Sequence, residues 1–420
     1  MKFTAFGFAK EIQKAIEICG YKKMTPVQRQ SMAQIRKGRD LLVNAQTGTG
    51  KTAAFALPLL QRLLDKPRNN KFGNPQILIL TPTRELAEQL ANTIKNYAQF
   101  LSFNISAIYG GVKSQGQSNK FKTGVDILIA TPGRLLEHVN NKLVNLSEVQ
   151  HVVLDESDRM LDMGFVGDVV QLLEQTNKQR QTLLFSATMT PNLNELAHKV
   201  LRNHLEIRTS KKVNKAADTV KHVLYPVDED KKIDLFMELL QQYNWFQVLV
   251  FTSTKRQADN LLERLKNHKI KAGLVHGDKS QGSRRRALAD FKSAKLQVLV
   301  STEIAARGLD IIGLDCVVNY NLPFLAEDYV HRIGRTGRAG NSGLAISFAS
   351  PEESKAVKKI ERIIGEKIQR IYKKGYEINE NALYSPRFAK KSKPTTHKKR
   401  SFKQKSKIKK QKVKKTKRKY

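Results

Sequence analysis

Short apolar runs alternate along the chain with stretches whose apolar positions recur every three or four residues. The runs have the length and β-branched content of buried strands, and the other stretches have the period of helices packed against a sheet. This alternation predicts an α/β fold built on parallel sheets. In the first half of the chain the predicted strands are DLLVNA, QILILT, NISAIY, DILIAT, HVVLDE and TLLFSA.

A second series of predicted strands follows a polar interval. The segment RTSKKVNKAADTVK loses the apolar periodicity, and residues 209–220 are therefore predicted to be a linker. The strands predicted beyond it are QVLVFTST, KAGLVHG, QVLVST, CVVNYN and LAISFAS. The two halves share a rhythm without an evident sequence repeat, so we expect two tandem domains, 1–208 and 221–375.

The charge balance indicates what kind of molecule the protein binds. The chain has 75 Lys and Arg against 38 Asp and Glu, a formal net charge of +37, which favours a polyanion such as nucleic acid or an anionic membrane surface. No apolar run approaches the roughly 18 residues that cross a bilayer, and the first residues lack the apolar core of a signal peptide. Cys19 and Cys316 are isolated and predicted to be reduced. We therefore expect a cytoplasmic protein that binds nucleic acid, with no membrane partner.

The last residues differ in composition from the rest. Residues 385–420 contain 18 Lys and Arg and no Asp or Glu, which is about half of the net charge. Such a segment cannot bury a core, so we predict a disordered tail. Its function is predicted to be nonspecific tethering of the nucleic acid through phosphate contacts. The alternative is a charged tail that only increases solubility.

A glycine-rich turn lies between a predicted strand and a predicted helix. The segment AQTGTGKT, residues 45–52, matches the phosphate-binding loop except for Ala at its first position. Glycines let backbone N–H groups surround phosphate oxygens, Lys51 would reach the terminal phosphates, and the Thr52 hydroxyl would bind Mg²⁺. The alternative is an ordinary strand-to-helix turn. The predicted nucleotide contacts here are Thr47, Gly48, Thr49, Gly50, Lys51 and Thr52.

Three carboxylates, Asp155, Glu156 and Asp158, lie at the end of the predicted strand HVVLDE and directly after it, in the segment HVVLDESDRML. Parallel strands end at one edge of a sheet, so this strand would deliver its carboxylates to the phosphate loop. Asp155 is suited to hold Mg²⁺ through water, and Glu156 to orient and deprotonate the attacking water. Alone, the cluster would be interpreted as a solvated turn; with the phosphate loop, it predicts a nucleoside-triphosphate hydrolysis site.

These residues resemble the DEAD-box ATP-dependent RNA helicases of helicase superfamily 2, over about residues 1–375. The blocks PFLAEDYVHRIGRTGRAGNSG and ERIIGEKIQRIYKKGYE are most similar to the bacterial RhlE-like subgroup. The resemblance implies two RecA-like domains. The chain departs from the family pattern at Ser157, where Ala is usual, and at Glu303, where Asp is more usual.

The resemblance also implies roles for residues outside the phosphate loop. GYKKMTPVQ is similar to the adenine-recognition motif, with Gln28 on the base edge and Phe3 stacked on the base; the alternative for Phe3 is a packing residue of the first helix. In the second domain Gly308 and Asp310 would contact ATP. Arg335 and Arg338 would be arginine fingers that meet the γ-phosphate when the domains close. The alternative for this basic block, read without the family, is a clamp on the phosphate backbone of the nucleic acid.

Further blocks imply contacts with RNA and a link between the two activities. The RNA-contacting residues implied by the family are Pro82, Thr83, Arg84, Gly110, Gly111, Thr131, Gly133, Arg134, Gln281, Arg284 and Thr302. The residues implied to couple hydrolysis to strand separation are Asp158, Ser186, Thr188 and His331.

The expected function is RNA-stimulated hydrolysis of ATP, with Mg²⁺, coupled to unwinding of short duplexes or remodelling of RNA–protein particles. A DNA helicase, and an RNA-binding or annealing protein with a decayed ATPase, are the alternatives. Ribosome assembly and RNA turnover are both in keeping with the resemblance, with ribosomal precursor particles or RNA-decay proteins as partners.

Overall fold

The computed structural model describes residues 1–46, 48–66, 74–112, 114–209, 220–306, 309, 311, 313–337 and 343–378. Residues Met1–Ile378 form one compact unit that contains two parallel sheets, and we name the part built on each sheet the first and the second lobe. Most of the predicted linker and the whole predicted tail lie outside the described residues. No helix in the described part of the chain is both long enough and apolar enough to cross a membrane.

The first lobe is built on a seven-stranded sheet in the order β3-β4-β2-β5-β6-β1-β7, with every paired strand parallel. Its strands are β1 (Leu41–Asn44), β2 (Ile77–Leu80), β3 (Ile105–Ile108), β4 (Ile127–Ala130), β5 (His151–Leu154), β6 (Gln181–Ser186) and β7 (Leu205–Arg208).

The second lobe repeats this architecture in the order β10-β11-β9-β12-β13-β8-β14, again with parallel pairs. Its strands are β8 (Val220–Pro226), β9 (Val248–Thr252), β10 (Ala272–Val275), β11 (Val298–Thr302), β12 (Cys316–Asn319), β13 (Gly343–Ala349) and β14 (Gln369–Arg370). Adding seven to each strand number of the first sheet gives the order of the second, so the lobes share one topology.

Helices connect the strands and cover the sheets. In the described part of the chain they are α1 (Lys10–Ile18), α2 (Pro26–Arg36), α3 (Lys51–Asp65), α4 (Arg84–Tyr97), α5 (Ser114–Ser118), α6 (Pro132–Asn140), α7 (Ser157–Asp162), α8 (Val166–Glu174), α9 (Pro191–Val200), α10 (Lys232–Tyr243), α11 (Lys255–Asn267), α12 (Gln281–Lys292), α13 (Glu303–Ala306), α14 (Ala326–Ile333) and α15 (Ser354–Ile364). Short 3-10 helices span Phe3–Phe6, Asn119–Thr123, Glu229–Lys231 and Pro351–Glu353.

Apolar cores lie on both faces of each sheet because successive strand residues point to opposite faces. In the first lobe Val43 and Phe185 belong to one core, and their neighbours Leu42 and Leu184 belong to the other. These residues are almost completely buried, as the unbroken apolar runs of the sequence predicted.

The predicted α/β fold with two tandem parallel-sheet lobes is confirmed. All eleven predicted strands are present, and the sequence missed β7, β8 and β14. Strand β8 begins at Val220, so the predicted linker, which ended at that residue, extends one residue too far.

Candidate nucleotide and RNA site

Three neighbouring strands of the first lobe carry the predicted chemical groups to one edge. Strands β5, β6 and β1 are adjacent in the sheet and parallel. Asp155 follows β5, the segment Ser186–Thr188 ends β6, and the phosphate loop follows β1. Because the carboxyl ends of parallel strands meet at the same edge, segments that are distant in sequence converge here.

The phosphate loop has the backbone of an anion-binding turn. Gly48 and Gly50 adopt left-handed φ angles of 80° and 87°, which a side chain would oppose. Lys51 is the first residue of α3, and its ammonium is buried without a hydrogen-bond partner among the described residues. A buried unpaired charge is costly, so this geometry favours an anionic ligand at the helix start.

Gln28 braces the phosphate loop as well as its own helix. Its amide oxygen accepts the N–H of Thr25 at 2.9 Å, and its amide nitrogen donates to the carbonyl of Gly50 at 3.1 Å. A side chain at Gly50 would collide with that amide, a second reason for glycine at this position. The contact of Gln28 with adenine stays a prediction, since one amide N–H and one oxygen lone pair remain available.

Phe3 is part of the apolar core. Only 4% of its surface is exposed, and its ring stacks on Tyr21 with centroids 6.0 Å apart. The structure therefore shows the packing role that was the alternative for this residue. A cavity of about 310 Å³ borders both rings, so the predicted stacking on adenine stays a prediction.

The two carboxylates after β5 lie in different environments. Asp155 is buried, and burial raises the pKa of its carboxyl to about 6 even though Lys51 acts in the opposite direction. Glu156 is only half-buried, and its backbone is left-handed, with φ 52° and ψ 48°. A non-glycine residue in this region is strained, and such strain concentrates at functional sites.

The serine that replaces the family's usual alanine has a partner. The Ser157 hydroxyl is fully buried and donates to the carbonyl of Phe185 at 2.9 Å. This bond ties the start of α7 to β6, so the departure is accommodated within the first lobe without disturbing the neighbouring carboxylates.

Asp158 binds the segment that ends β6. Its Oδ2 atom accepts the N–H groups of Ala187 and Thr188 at 3.2 and 2.9 Å and the Thr188 hydroxyl at 2.9 Å. The Ser186 hydroxyl donates to the Thr188 carbonyl at 2.6 Å. Burial acts to raise the pKa of Asp158, but the facing His331, Arg159, Lys51 and the hydrogen bond from the Thr188 hydroxyl act in the opposite direction and hold it below its ordinary value. The carboxylate is therefore ionised at neutral pH.

His331 of the second lobe faces this network. A cavity of about 560 Å³ lies between the lobes, lined by Asp158 and Thr188 on one side and by Leu325, Glu327 and His331 on the other. Burial and, after it, the charge of Arg159 lower the pKa of His331 to about 3, although Asp158 and Asp328 act in the opposite direction, so the imidazole is neutral near pH 7. The four predicted coupling residues thus lie together; their role stays a prediction.

The residues at this edge fit a magnesium ion that arrives with a nucleotide. Among the described residues no group of three or more His, Cys, Asp and Glu side chains could hold a metal alone. Mg²⁺ is commonly held by one or two protein groups together with substrate phosphates, and Thr52 and Asp155 are groups of this kind. The buried ammonium of Lys51 would bind the phosphates of the nucleotide that carries the ion.

The predicted arginine finger Arg335 is half-buried two residues beyond the end of α14. Its guanidinium donates to the carbonyl of Leu309 at 2.5 Å. Its neighbour Arg332 is buried, pairs with Glu303 and donates to the carbonyl of Asn321 at 2.7 Å. The longer carboxylate at position 303 therefore holds the segment that leads to Arg335. The predicted residues Thr47, Gly308, Asp310 and Arg338 lie outside the described residues.

The predicted RNA contacts of the first lobe differ in exposure. The guanidinium of Arg84 occupies the space that a side chain at Gly111 would fill. Arg134 donates to the carbonyl of Val112 at 3.2 Å and pairs with Glu137 at 3.1 Å. Gly110 and Gly133 lie in the neighbouring loop and at the start of α6, whereas three predicted contacts have buried side chains: Pro82, Thr83 and Thr131.

The predicted RNA contacts of the second lobe are buried too. Gln281 and Arg284 are each 7% exposed, and Thr302 is 8% exposed. Arg284 forms an ion pair with Glu85 of the first lobe at 2.7 Å. A contact of its guanidinium with RNA would require this pair to open, so the RNA role of Arg284 stays a prediction.

Sequence reasoning missed the ion pairs that join the lobes. Arg159 on α7 pairs with Asp328 on α14, and both side chains are 5% exposed. Arg285 on α12 pairs with Glu88 on α4. Glu88 follows Glu85 by three residues, the spacing of one helix face, and this was the available signal.

Family models match both lobes. The model described as DEAD/DEAH box helicase matches residues 25–196, and the one described as helicase conserved C-terminal domain matches residues 231–340. The chain is 40% identical to the ATP-dependent RNA helicase vasa of Drosophila melanogaster, over 84% of this chain and 54% of vasa. It is 38% identical to ATP-dependent RNA helicase CshA of Listeria monocytogenes, over 88% of this chain and 70% of CshA. It is also 38% identical to DEAD-box ATP-dependent RNA helicase RhpA of Helicobacter pylori, over 87% and 73%.

Solved structures are similar over both lobes. Dbp5 of S. cerevisiae bound to RNA and ADP BeF3 is 30% identical, with a TM-score of 0.79 over 88% of this chain and 95% of that one. Mss116p bound to ssRNA and AMP-PNP is 26% identical, with a TM-score of 0.78 over 90% and 79%.

Proposed function

Because the chain belongs to the DEAD-box family of ATP-dependent RNA helicases, we propose that it uses closure of its two lobes on ATP and RNA to separate short duplexes or remodel RNA–protein particles. The observation that carries the proposal is the meeting of Lys51, Asp155 and the Asp158 network at adjacent strand ends, opposite His331 of the other lobe.

The roles of the first-lobe residues follow from their chemistry. Lys51 and the loop N–H groups bind the terminal phosphates. Thr52 and Asp155 hold Mg²⁺, which when bound neutralises charge that develops on the phosphates. Glu156 orients the attacking water and accepts its proton. The left-handed backbone at Glu156 fixes its carboxylate in place before the substrate arrives.

The second lobe completes the site when the lobes close. Arg335 and Arg338 stabilise the charge of the transferred phosphoryl group. His331 lines the same cavity as Asp158 and Thr188. A movement of their hydrogen-bonded network would therefore change the surroundings of His331 in the second lobe. Gly308 and Asp310 contact the nucleotide, and Gln28 and Phe3 recognise its base. The first-lobe RNA residues, such as Arg84 and Arg134, bind phosphates of a single strand.

Placement in the bacterial RhlE-like subgroup remains a proposal, supported by the two sequence blocks that suggested it, whereas the relatives compared above are CshA, RhpA and vasa. A cytoplasmic location, and ribosomal precursor particles or RNA-decay proteins as partners, also remain proposals from the sequence.

Substitution of the proposed base tests the hydrolysis site. Glu156→Gln should lower ATP turnover by at least about 100-fold and leave ATP affinity within a few fold, because the amide fills the same space but accepts no proton. Turnover is measured by phosphate release and affinity by fluorescence of a labelled nucleotide. Glu174→Gln, at an exposed position on α8, is the matched control. Wild-type turnover in Glu156→Gln would refute the assignment.

The polymer preference is tested separately. RNA and DNA single strands of the same base sequence are compared as activators of ATP hydrolysis. RNA should stimulate and DNA should not, since the 2′-hydroxyl distinguishes the two polymers. Equal stimulation by both would favour the DNA-helicase alternative.

A further inference from the structure

Arg285 contacts two side chains of the first lobe across the cleft. Its Nε atom donates to Oε2 of Glu88 at 3.1 Å, and its Nη2 atom pairs with the other oxygen of the same carboxylate. Nη2 also donates to the Tyr109 hydroxyl at 2.8 Å, and that hydroxyl donates in turn to Glu88. A guanidinium held by both oxygens of a carboxylate has a defined orientation as well as a favourable charge interaction.

The contact is extended by a second pair from the same two helices. Glu85 and Glu88 lie three residues apart on α4, and Arg284 and Arg285 are neighbours on α12. Arg284 pairs with Glu85 at 2.7 Å, where both side chains are largely buried. Two acids of the first lobe therefore face two arginines of the second. When the lobes separate, each helix keeps two like charges close together, a cost that closure removes.

The exposure of the Arg285 pair distinguishes it from the buried cross-lobe pair of Arg159 and Asp328. The Arg285 side chain is 56% exposed and that of Glu88 is 23% exposed, whereas Arg159 and Asp328 are both 5% exposed. Partly solvated ion pairs contribute modestly and can break without leaving a buried bare charge. Such a pair is suited to a contact that forms and opens in every cycle.

We propose that Arg285 is a positioning residue that acts through Glu88 and Tyr109 to set how readily the lobes close on RNA. The proposal rests on the proposed function, and it adds a determinant that touches neither nucleotide nor reacting atoms. Weakening the contact raises the RNA concentration needed for closure, and once closure is complete the chemistry is unchanged.

An exchange of the two charges tests the proposal. Arg285→Glu and Glu88→Arg each place like charges in contact, and the double variant restores an opposite pair in reverse. Each single variant should raise the RNA concentration for half-maximal ATPase stimulation by about fivefold, with turnover at saturating RNA retained. The double variant should recover most of this loss. Arg286→Glu is the matched control, because Arg286 is exposed on the same helix and has the same charge.

Lobe closure is measured apart from hydrolysis, so failure of this proposal is distinguishable from failure of the proposed function. Dyes are attached to cysteines introduced by Glu174→Cys on α8 and Lys266→Cys on α11, two exposed positions. The native Cys19 is replaced by Ser, and Cys316 is fully buried and does not react with the dyes. Energy transfer is followed as single-stranded RNA is added with AMP-PNP. The single variants should close at higher RNA concentration and the exchanged pair near the wild-type one. A double variant as impaired as the single ones, or an Arg286→Glu variant as impaired as Arg285→Glu, would overturn the proposal.

Discussion

At the scale of single residues, the site depends on two neighbouring carboxylates that the chain places in unlike surroundings. Asp155 is buried beside an ammonium, and Glu156 is half-buried at the cleft on a strained backbone. The buried carboxyl keeps a raised pKa until a cation approaches, whereas the other group is accessible to a water molecule. Burial of the Asp155 carboxylate therefore lowers the free energy of unfolding, while it supplies a group that the site needs.

Replacement of Asp155 by an uncharged residue should recover the stability that burial of its carboxylate costs. The pKa of about 6 exceeds the ordinary 3.8, so the stability contributed by the protonated folded form is present below about pH 4 and is lost as the pH rises through 6. Asp155→Asn should therefore raise the free energy of unfolding at pH 8 by about 3 kcal/mol, while ATPase activity is lost. Urea denaturation without nucleotide measures this. At pH 5 the advantage should shrink to roughly half, and an advantage independent of pH would contradict the explanation.

Residue chemistry was predictable where one short segment holds all the necessary groups. The phosphate loop and the carboxylates after β5 are segments of this kind. The brace between Gln28 and Gly50 was not, because it joins residues from different segments. Burial of Phe3 depends likewise on Tyr21, and no local pattern distinguishes a ring that packs in a core from one that waits for a base.

At the scale of elements, strands that form a continuous apolar segment were predictable, even at the sheet edges β3 and β10, whereas β7, β8 and β14 were not. Interior strands such as β2 are buried on both faces and consist of unbroken apolar residues. β7 has one fully buried residue, and β14 has two exposed ones, so neither shows a strand pattern. β8 begins inside the polar interval, and its exposed Lys221 interrupts the apolar run.

The start of β13 packs against the segment that leads to the proposed arginine fingers. A side chain at Gly343 would collide with the backbone of Gly337 and with the Thr336 hydroxyl, between Arg335 and Arg338 in sequence. Gly343→Ala should therefore displace the fingers and lower RNA-stimulated turnover by about 10- to 100-fold, with nucleotide affinity nearly unchanged.

Gly167→Ala on α8 is the control for this substitution, because a side chain there meets no atom within 4 Å and alanine favours a helix. Turnover and nucleotide affinity of both variants are measured with saturating RNA. Wild-type turnover in Gly343→Ala would show that the finger segment tolerates the displacement.

At the scale of the whole molecule, the two lobes are joined by pairs that are far apart in sequence. Arg159 and Asp328 are separated by 169 residues, and Arg285 and Glu88 by 197. Two tandem lobes were predictable from the pattern of strands. Their faces in contact were not, because a charged residue on a helix surface looks the same whether it meets solvent or another lobe.

The basic C-terminal segment should add salt-dependent RNA binding to whatever the lobes supply. Log affinity for single strands falls with log salt by about 0.7 for each phosphate contacted. Removal of residues 385–420, with their 18 Lys and Arg, should flatten that slope and leave ATP hydrolysis without RNA unchanged. A Gly/Ser segment of the same length is the control, and titrations at several salt concentrations give the slope. An unchanged slope would favour the solubilising alternative.

The Lys51 ammonium, which has no hydrogen-bond partner in the described part of the chain, has a practical consequence for work on the enzyme. An ammonium at the start of a helix attracts any small oxyanion, so sulfate or inorganic phosphate in a buffer should compete with ATP. Such salts should raise the melting temperature of the protein and lower its apparent affinity for nucleotide. Nucleotide affinity should therefore be measured in chloride buffers.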